Sequence, residues 1–333
     1  MLFLPPRCPR TDCVAHSKPP FHFQRRGFFL RKCDGRPVQR FRCLHCRRYF
    51  SSQSFRLDYR LKLPYLHLEL FWHFISKVTL RQAARMTGHS RVTIEHRLRL
   101  LGDHCRAFQR LRLERFRGSL SGDVVLDELE TFEQNRLEKP LTVPVAIDRT
   151  SYFVWGAAVG TLPARPSARS RREQQLGLRS WLRTTRRESQ SKEVVSAVLQ
   201  GIAELVHPQS QPLITSDQKP LYALLVRDIF GGRAQHSRIS GRRRRTIENP
   251  LFPINHCLAM LRDGLSRLVR KNWAHAKLAE RLERHLWIWI CYRNYVRTKT
   301  NKTPGVTAAM AFGVEQRLWT VEGLLRWNPL VAF

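Results

Sequence analysis

The chain has 333 residues, 42% of them hydrophobic, so it is long enough for two or three domains and apolar enough to bury a core, which excludes a disordered protein. It carries 59 Lys and Arg residues against 26 Asp and Glu residues, a formal net charge of +33. Such a charge opposes compaction unless a polyanion neutralises it, and nucleic acid is the plainest polyanion; a solvated basic surface is the alternative.

Two stretches bear on the compartment of the protein. The first ten residues, MLFLPPRCPR, contain no apolar run of signal length, and residues 286–292, LWIWICY, are too few to span a bilayer. We therefore expect a cytoplasmic protein without a membrane partner. In that compartment cysteines are metal ligands or buried thiols more often than disulfides.

The cysteines are concentrated near the start of the chain. Five of the eight lie in the first 50 residues, at Cys8, Cys13, Cys33, Cys43 and Cys46. Cys43-Leu-His-Cys46 has the spacing of a zinc knuckle, and Cys8 and Cys13 form a looser pair. Four thiolates close a tetrahedral structural site, so these pairs predict a zinc ion bound by Cys8, Cys13, Cys43 and Cys46. Cys33 is left over, and scattered buried cysteines are the alternative.

The residues between the two cysteine pairs predict a hairpin. They alternate arginine and aromatic positions, which is typical of short strands, with Gly27 and Gly35 as turn residues. Two knuckles joined by a hairpin make a zinc ribbon, here residues 1–55. In this ribbon His16 or His45 can substitute for one cysteine ligand.

A helix-turn-helix pattern follows within residues 56–118. After an apolar helix near residues 63–77, LRQAARM predicts an amphipathic helix, Gly88 supplies the turn, and Ser90 can N-cap a second helix. The inward positions of that second helix include Val92, Ile94, Leu98 and Leu101. The outward positions include Arg91, Thr93, His96, Arg97 and Arg99. We predict that this helix enters the major groove of DNA, although an ordinary helical hairpin has the same periodicity.

From about residue 121 the predicted order is strand, strand, strand, helix, strand, helix. The strands lie in SGDVVLDELETFEQ, in LTVPVAIDRTSYFVWGAAVG and in PLITSDQKPLYALLV, and the helix between the last two segments covers residues 191–206. In a mixed sheet of this kind the first strand lies beside the strand after the crossover helix, so Asp127 and Asp217 can meet. Two close carboxylates repel unless a cation separates them, and Mg²⁺ bound by carboxylates and phosphate oxygens is usual in phosphoryl transfer.

Taken in this order, the motifs resemble bacterial insertion-sequence transposases. The resemblance rests on the cysteine pairs, LRQAARMTGHSRVTIEHRL, LDELETFE, ITSDQKPLY and INHCLAMLRDGLSRLVRKNW, and it covers about residues 1–313. It implies an α/β fold, with an RNase H-like mixed-sheet catalytic core at 119–313. The small zinc ribbon and a helical helix-turn-helix domain precede this core, and a C-terminal tail follows at 314–333. In that family two aspartates and a third residue, Glu or Asn, bind two metal ions that cut and join DNA strands.

Carried over position by position, the resemblance implies Asp127, Asp217 and Asn255 as catalytic residues and as ligands of Mg²⁺ or Mn²⁺. Relatives commonly carry Glu three positions after the Asn, where this chain has Leu258, and the close alternative acid is Glu248. An amide oxygen is uncharged, so it holds a metal ion more weakly than a carboxylate unless DNA phosphate completes the site. Asn255 also begins an amphipathic helix, where Asn is favoured as an N-cap.

The expected reaction is in-line attack at a DNA phosphorus. The expected partners are double-stranded DNA at the element ends and the target, with a homodimer or larger assembly on that DNA and a nucleoid association. Residues predicted to clamp the DNA backbone recur along one helix, at Arg262, Arg267, Arg270 and Lys271; a solvated stripe is the alternative. Two other functions stay open: an inactive, transposase-derived DNA-binding protein, and a metal-dependent nuclease or resolvase on the same fold.

Further predictions concern the insertions and the remaining acids. The arginine-rich insertions at 161–190 and 231–246 are predicted to be flexible loops. Glu128, Glu130 and Glu133 are predicted to be solvated or paired with nearby arginines. A late helix over 279–297 is predicted to turn four apolar residues towards the core: Leu282, Leu286, Trp289 and Ile290.

Overall fold

A computed structural model describes residues 3–18, 20–165, 187–244, 246–269 and 273–328. The chain forms two compact units, one of Met1–Glu69 with Thr320–Phe333 and the other of Leu70–Trp319. Within the described ranges, no helix combines the length and the apolar character needed to cross a membrane.

The protein belongs to the mixed α/β class. Its strands are β1 (Phe23–Leu30), β2 (Pro37–Cys43), β3 (Tyr49–Ser51), β4 (Val124–Phe132), β5 (Pro140–Asp148), β6 (Val154–Ala157), β7 (Gly160–Thr161), β8 (Leu213–Asp217) and β9 (Gln235–Ile239). Its α-helices are α1 (Val14–Ser17), α2 (Leu66–Ile75), α3 (Leu80–Thr87), α4 (Arg91–Glu114), α5 (Ser191–Leu205), α6 (Pro220–Phe230), α7 (Phe252–Gly264), α8 (Ala279–Cys291), α9 (Ala308–Ala311) and α10 (Val321–Arg326).

The first unit contains a three-stranded antiparallel sheet in the order β1-β2-β3. The predicted hairpin is therefore confirmed, with Gly35 at φ +66° in the turn between β1 and β2. Gly27 is not a turn residue, because it lies inside β1 where the pairing register shifts between Arg25 and Phe28. Its φ of +65° is the left-handed conformation that such a bulge requires, and glycine adopts it without a steric penalty.

The second unit is built on a mixed sheet in the order β6-β5-β4-β8-β9, with β7 paired to β5. Strands β4, β5 and β6 are antiparallel neighbours, whereas β8 runs parallel to β4 and β9 runs parallel to β8. The predicted adjacency of the first strand and the strand after the crossover helix is confirmed. The crossover helix itself, α5, begins at Ser191 as predicted.

Strand β9 lies in a segment that the sequence predicts to be a flexible loop, so that prediction is wrong for Gln235–Ile239. Its residues, QHSRI, lack the apolar alternation by which a strand is recognised, and none of them is fully buried. The strand forms because β8 offers it a free edge, and five consecutive residue pairs join the two strands.

Helices cover both faces of this sheet. Val125 and Leu129 of β4 belong to a core that includes apolar side chains of α7 and α8. The opposite face of β4 carries Glu128, whose Oε1 accepts a hydrogen bond of 2.9 Å from Ser191 Oγ at the start of α5. The residues predicted to bring α8 into the core are all buried: Leu282, Leu286, Trp289 and Ile290. The predicted late helix changes to a π-helical turn at Tyr292–Val296.

The predicted helical pair is also confirmed. Thr79 N-caps α3 and forms a capping box with Gln82, Gly88 ends the helix at φ +69°, and Ser90 Oγ accepts from the Thr93 amide to cap α4. Helix α4 then runs for 24 residues, much further than a short recognition helix needs. It continues because its apolar side packs against α8.

Candidate functional site

The four predicted cysteine ligands lie together in the first unit. The Sγ atoms of Cys8, Cys13, Cys43 and Cys46 are all within 4.8 Å of one another. The Cys8–Cys46 and Cys13–Cys43 pairs have Sγ–Sγ distances of 3.8 Å and 3.9 Å. A tetrahedral ion with metal–sulfur bonds of about 2.3 Å requires sulfur–sulfur distances of about 3.8 Å. The cluster therefore has the dimensions of a metal centre.

Local structure explains why these thiols converge. Cys43 ends β2, and its amide donates to the Arg48 carbonyl at 3.0 Å, which closes the turn that carries Cys46. The Cys8 amide donates to the Ala15 carbonyl at 3.0 Å and so folds the first pair onto α1. Burial raises the pKa of the Cys8 and Cys43 thiols above the ordinary value, so these two thiols need a nearby cation to stay ionised.

The other potential ligands lie elsewhere. Cys33 is exposed, with its sulfur next to the carboxylate of Asp34. His16 Nδ1 lies 2.8 Å from the Cys8 carbonyl oxygen, and the His45 ring stacks on His22. Neither histidine belongs to the cluster, so the arrangement is that of a closed four-sulfur site.

In the second unit, Asp127 and Asp217 lie on adjacent parallel strands. The pairs Val124 with Ile214 and Val125 with Thr215 set the register, and each aspartate lies two residues beyond the last of these pairs. Residues opposite one another in adjacent strands project from the same face, and neighbouring strands are about 4.8 Å apart. Both aspartates are partly exposed. Two partly exposed carboxylates thus occupy equivalent positions on neighbouring strands, and both lie close enough to Tyr222 to affect its pKa.

The position of Asp127 within its strand differs from the predicted one. The sequence places Asp127 at the end of an apolar strand, but β4 continues to Phe132 and Asp127 lies in its first half. It is β8 that ends here, at Asp217. The carboxylate pair therefore lies at the carboxyl end of β8, where the edge of the sheet opens.

Asn255 lies on α7, which packs on the Val125 and Leu129 face of β4. The N-cap interpretation of Asn255 is wrong, because α7 begins at Phe252 and Asn255 is already in its first full turn. Its Nδ2 donates to the Leu251 carbonyl at 3.0 Å. The amide oxygen is therefore the atom that remains for another contact.

The structure also shows where Leu258 and Glu248 lie, the two residues that the sequence analysis compared with Asn255. Leu258 is 5% exposed and belongs to the apolar core beneath α7, so that position serves packing. Glu248 is exposed in the segment that precedes the helix. Asn255 itself is half-buried in the first turn of α7, with its amide oxygen as the possible ligand atom.

A polar network that the sequence did not predict lies beside the aspartates. Lys219 Nζ donates to the Glu128 carboxylate and, at 2.9 Å, to Ser191 Oγ, while its backbone amide donates to Asp217 Oδ1 at 2.9 Å. The Glu128 amide donates to Asp127 Oδ1 at 2.7 Å. This network joins β4, the start of α5 and the end of β8, and it holds both aspartates in place. In the sequence, the position of Lys219 two residues after Asp217 was the feature that could have indicated this network.

Tyr222 lies close to the same carboxylates, and its pKa is affected by them. This tyrosine is 1% exposed, and burial together with the carboxylates of Glu128, Asp127 and Asp217 raises its pKa far above the ordinary value. A tyrosine hydroxyl that stays protonated beside three carboxylates is a hydrogen-bond donor at any physiological pH. The acidic cluster is therefore partly enclosed by protein on the Tyr222 side.

The remaining acids of β4 are paired with arginines, as predicted. Arg165 makes a bidentate contact with Glu130 at 2.8 Å and 3.0 Å, and Arg187 Nη2 lies 2.6 Å from Glu133 Oε2. Both arginines lie within the insertion predicted at 161–190, one on each side of residues 166–186, which lie outside the described residues.

The predicted DNA contacts on α4 are only partly exposed. Arg91 and His96 are exposed, and Thr93 is half-buried beside Ser90. Arg97 is 4% exposed, so its predicted outward position is wrong. Val92, predicted to face inward, is 72% exposed. Ile94, Leu98 and Leu101 are buried as predicted, so the pattern located the inner face of α4 and was wrong only at the Val92 and Arg97 positions beside it.

The predicted basic stripe after Asn255 does not lie on one helix. Helix α7 ends at Gly264, because Leu265 takes extended backbone angles and is buried. Arg262 is half-buried, and Arg267 is 7% exposed with its pKa lowered to about 10 by burial. Two of the four predicted contacts, Arg270 and Lys271, lie outside the described residues.

No protein-family model matches the chain, and a search of curated proteins finds no similar sequence. The geometry of the two sites is therefore the basis for assigning a function.

Proposed function

We propose that the protein is a DNA transposase of the insertion-sequence type, with an RNase H-like catalytic core. The observation that carries this proposal is the side-by-side position of Asp127 and Asp217 on adjacent parallel strands. The strand order β6-β5-β4-β8-β9, three antiparallel strands followed by two parallel ones, is compatible with such a core. The packing of α7 on the Val125 and Leu129 face of β4 supports Asn255 as the proposed third ligand.

The donor atoms fit a hard divalent cation. Carboxylate and amide oxygens are the ligands that Mg²⁺ and Mn²⁺ prefer, and the partial exposure of Asp127 and Asp217 leaves room for water and phosphate oxygens. When bound, a pair of such ions activates a water or a 3′-hydroxyl and stabilises the leaving oxygen. In the protein itself Asp127 and Asp217 provide the negative charge, Asn255 provides a neutral oxygen, and Lys219 fixes the loop after β8.

DNA as substrate is supported by charge. The chain carries a net charge of +33, and phosphate groups are the counterions that such a surface attracts. Exposed Arg91 and His96 lie at the start of α4, where a helix can contact a groove or the backbone. The proposed reaction is in-line phosphoryl transfer, first to water and then to a 3′-hydroxyl.

We further propose that the four-cysteine cluster binds a structural zinc ion. Zinc forms closed tetrahedral sites with four thiolates, and the Cys8–Cys46 and Cys13–Cys43 distances match that geometry. All four ligand positions come from the chain, so no position is left for a reacting group. The ion would stabilise the small sheet of the first unit.

The second candidate is a transposase-derived DNA-binding protein without catalysis. Asn255 favours it, because a neutral amide at the third position reduces the charge that holds two metal ions. The two functions differ only in strand chemistry, since both require DNA binding.

The experiment is a cleavage and strand-transfer assay on DNA that includes the sequences flanking the reading frame, with added Mg²⁺ or Mn²⁺. We expect Asp127→Asn and Asp217→Asn to lower the rate at least about a hundredfold while DNA affinity is retained. Asp228→Asn is the matched control, because Asp228 lies nearby on α6 with its side chain half-exposed. Activity that survives Asp127→Asn or Asp217→Asn would refute the assignment. DNA binding by the wild type without any cleavage would favour the second candidate.

A further inference from the structure

A basic cavity of about 280 Å³ lies in the second unit, between the α3–α4 pair and residues 266–281. Its lining includes five cationic side chains: Arg81, Arg91, Arg267, Lys277 and Arg281. The carboxylate among its lining residues is that of Glu95, which is ion-paired with Arg281 at 2.5 Å. The cavity therefore has a surplus of positive charge that suits an anion.

The most informative lining residue is Arg267. It is 7% exposed, burial lowers its pKa to about 10, and the nearby Glu95 carboxylate, already paired with Arg281, only partly offsets that effect. Among the described residues, the Nε atom of Arg281 is buried without a partner. A buried cation and an unpartnered buried N–H group are both unfavourable, so a cavity wall that holds Arg267 and the Nε of Arg281 favours an anion that binds them. Phosphate matches a guanidinium in charge and in shape.

An aromatic side chain stands at the same cavity. Trp273 lines it and is 94% exposed, the most exposed large hydrophobic residue in the described part of the chain. An indole in water is a stacking surface for a nucleobase, and such stacking is the usual way in which proteins hold single-stranded nucleic acid. In a duplex the faces of the bases are covered by their neighbours, so a base on Trp273 must be unpaired.

We propose that this cavity binds an unpaired nucleotide of a DNA strand, with the phosphate at Arg267 and Arg281 and the base on Trp273. This inference rests on the proposed function in taking DNA as the ligand. It does not depend on the carboxylate pair, because neither Asp127 nor Asp217 lines the cavity. An unpaired nucleotide arises where strands are opened or cut, which is where such a protein acts.

The test measures binding of a single-stranded oligothymidylate of about ten nucleotides and of a duplex of equal length. Fluorescence anisotropy is recorded in about 200 mM salt, to reduce non-specific contacts, without added divalent cation. We expect Trp273→Ala to weaken single-strand binding about tenfold and to leave duplex binding within about twofold of the wild type. The matched control is Ile247→Ala, since Ile247 is 82% exposed and does not line the cavity.

Arg267→Met separates a ligand-binding role from a structural one. We expect it to weaken single-strand binding about tenfold while the melting temperature stays unchanged or rises, because a buried cation is replaced by an apolar side chain. Arg227→Met is its control, because the Arg227 side chain is 75% exposed on α6. A lower melting temperature with unchanged binding would overturn the proposal, as would equal affinities for Trp273→Ala and Ile247→Ala.

Inorganic phosphate tests whether the cavity binds a free phosphate ion and not a nucleotide. If phosphate alone raises the melting temperature of the wild type but not of Arg267→Met, and Trp273→Ala has no effect on oligonucleotide binding, the nucleotide assignment is refuted. Asp217→Asn should bind the oligothymidylate like the wild type. Failure of the cleavage assay and failure of this binding assay can therefore be told apart.

Discussion

The buried histidine on α8 makes the stability of the second unit depend on pH. His285 is 1% exposed, and its Nε2 lies 2.7 Å from the Phe74 carbonyl oxygen. Because a carbonyl oxygen only accepts, Nε2 carries the proton of the neutral ring, and Nδ1 is buried without a partner. The informative perturbation is His285→Gln, which keeps a donor for the Phe74 carbonyl but does not titrate.

The magnitude follows from the pKa of His285, which burial and the positive charge of Arg267 lower to about 3. An unfolded histidine titrates at about 6.5. Between these pH values the unfolded chain binds a proton that the folded chain does not. The contribution of the neutral His285 ring to the unfolding free energy is therefore fully present above about pH 6.5 and is lost as the pH falls towards 3. At pH 4 the loss amounts to about 3 kcal/mol of unfolding free energy.

The assay is chemical denaturation at pH 7 and at pH 4, followed by circular dichroism, for the wild type and for His285→Gln. We expect the wild type to lose about 3 kcal/mol more than the variant between the two pH values. His207→Gln serves as control, because His207 is exposed and should leave the pH dependence of the wild type intact. Equal losses in the wild type and His285→Gln would show that the ring protonates within the fold, and would refute this reasoning.

Two further predictions use substitution pairs within the chain. Gly102→Ala should lower the unfolding free energy by about 1–3 kcal/mol, because its Cβ would lie 2.6 Å from the Arg284 carbonyl oxygen. Gly201→Ala should raise it by about 0.5–1 kcal/mol, since Gly201 is an exposed position of α5 with open space around it; a gain of stability in both would contradict the close approach of α4 and α8. Cys43→Ser should abolish the zinc content measured by elemental analysis, while Cys33→Ser should leave it unchanged. Zinc retained by Cys43→Ser would argue against the four-sulfur centre.

Local chemistry made several features readable from the sequence. The spacing of Cys43 and Cys46 identified one half of the metal cluster, because two thiolates around a tight turn need no distant partner to face one ion. Thr79, Gly88 and Ser90 marked the ends of α3 and α4 because caps act within a single turn. The β4–β8 adjacency followed from the order of strands and crossover helix, and it brought Asp127 beside Asp217.

Other features depended on contacts between segments far apart in the chain. Strand β9 exists because β8 offers an edge, Arg97 is buried because of how α4 is packed, and Glu128 is neutralised by Lys219, 91 residues away. The sequence predicts Arg267 as a DNA-backbone contact on one basic helix, whereas the end of α7 places it in the wall of a cavity. Periodicity and spacing describe how a segment relates to itself, whereas burial and pairing are set by neighbours that the local sequence does not specify. For this reason the sequence identified the two aspartates and the four cysteines, and only the tertiary structure revealed the basic cavity beside Trp273.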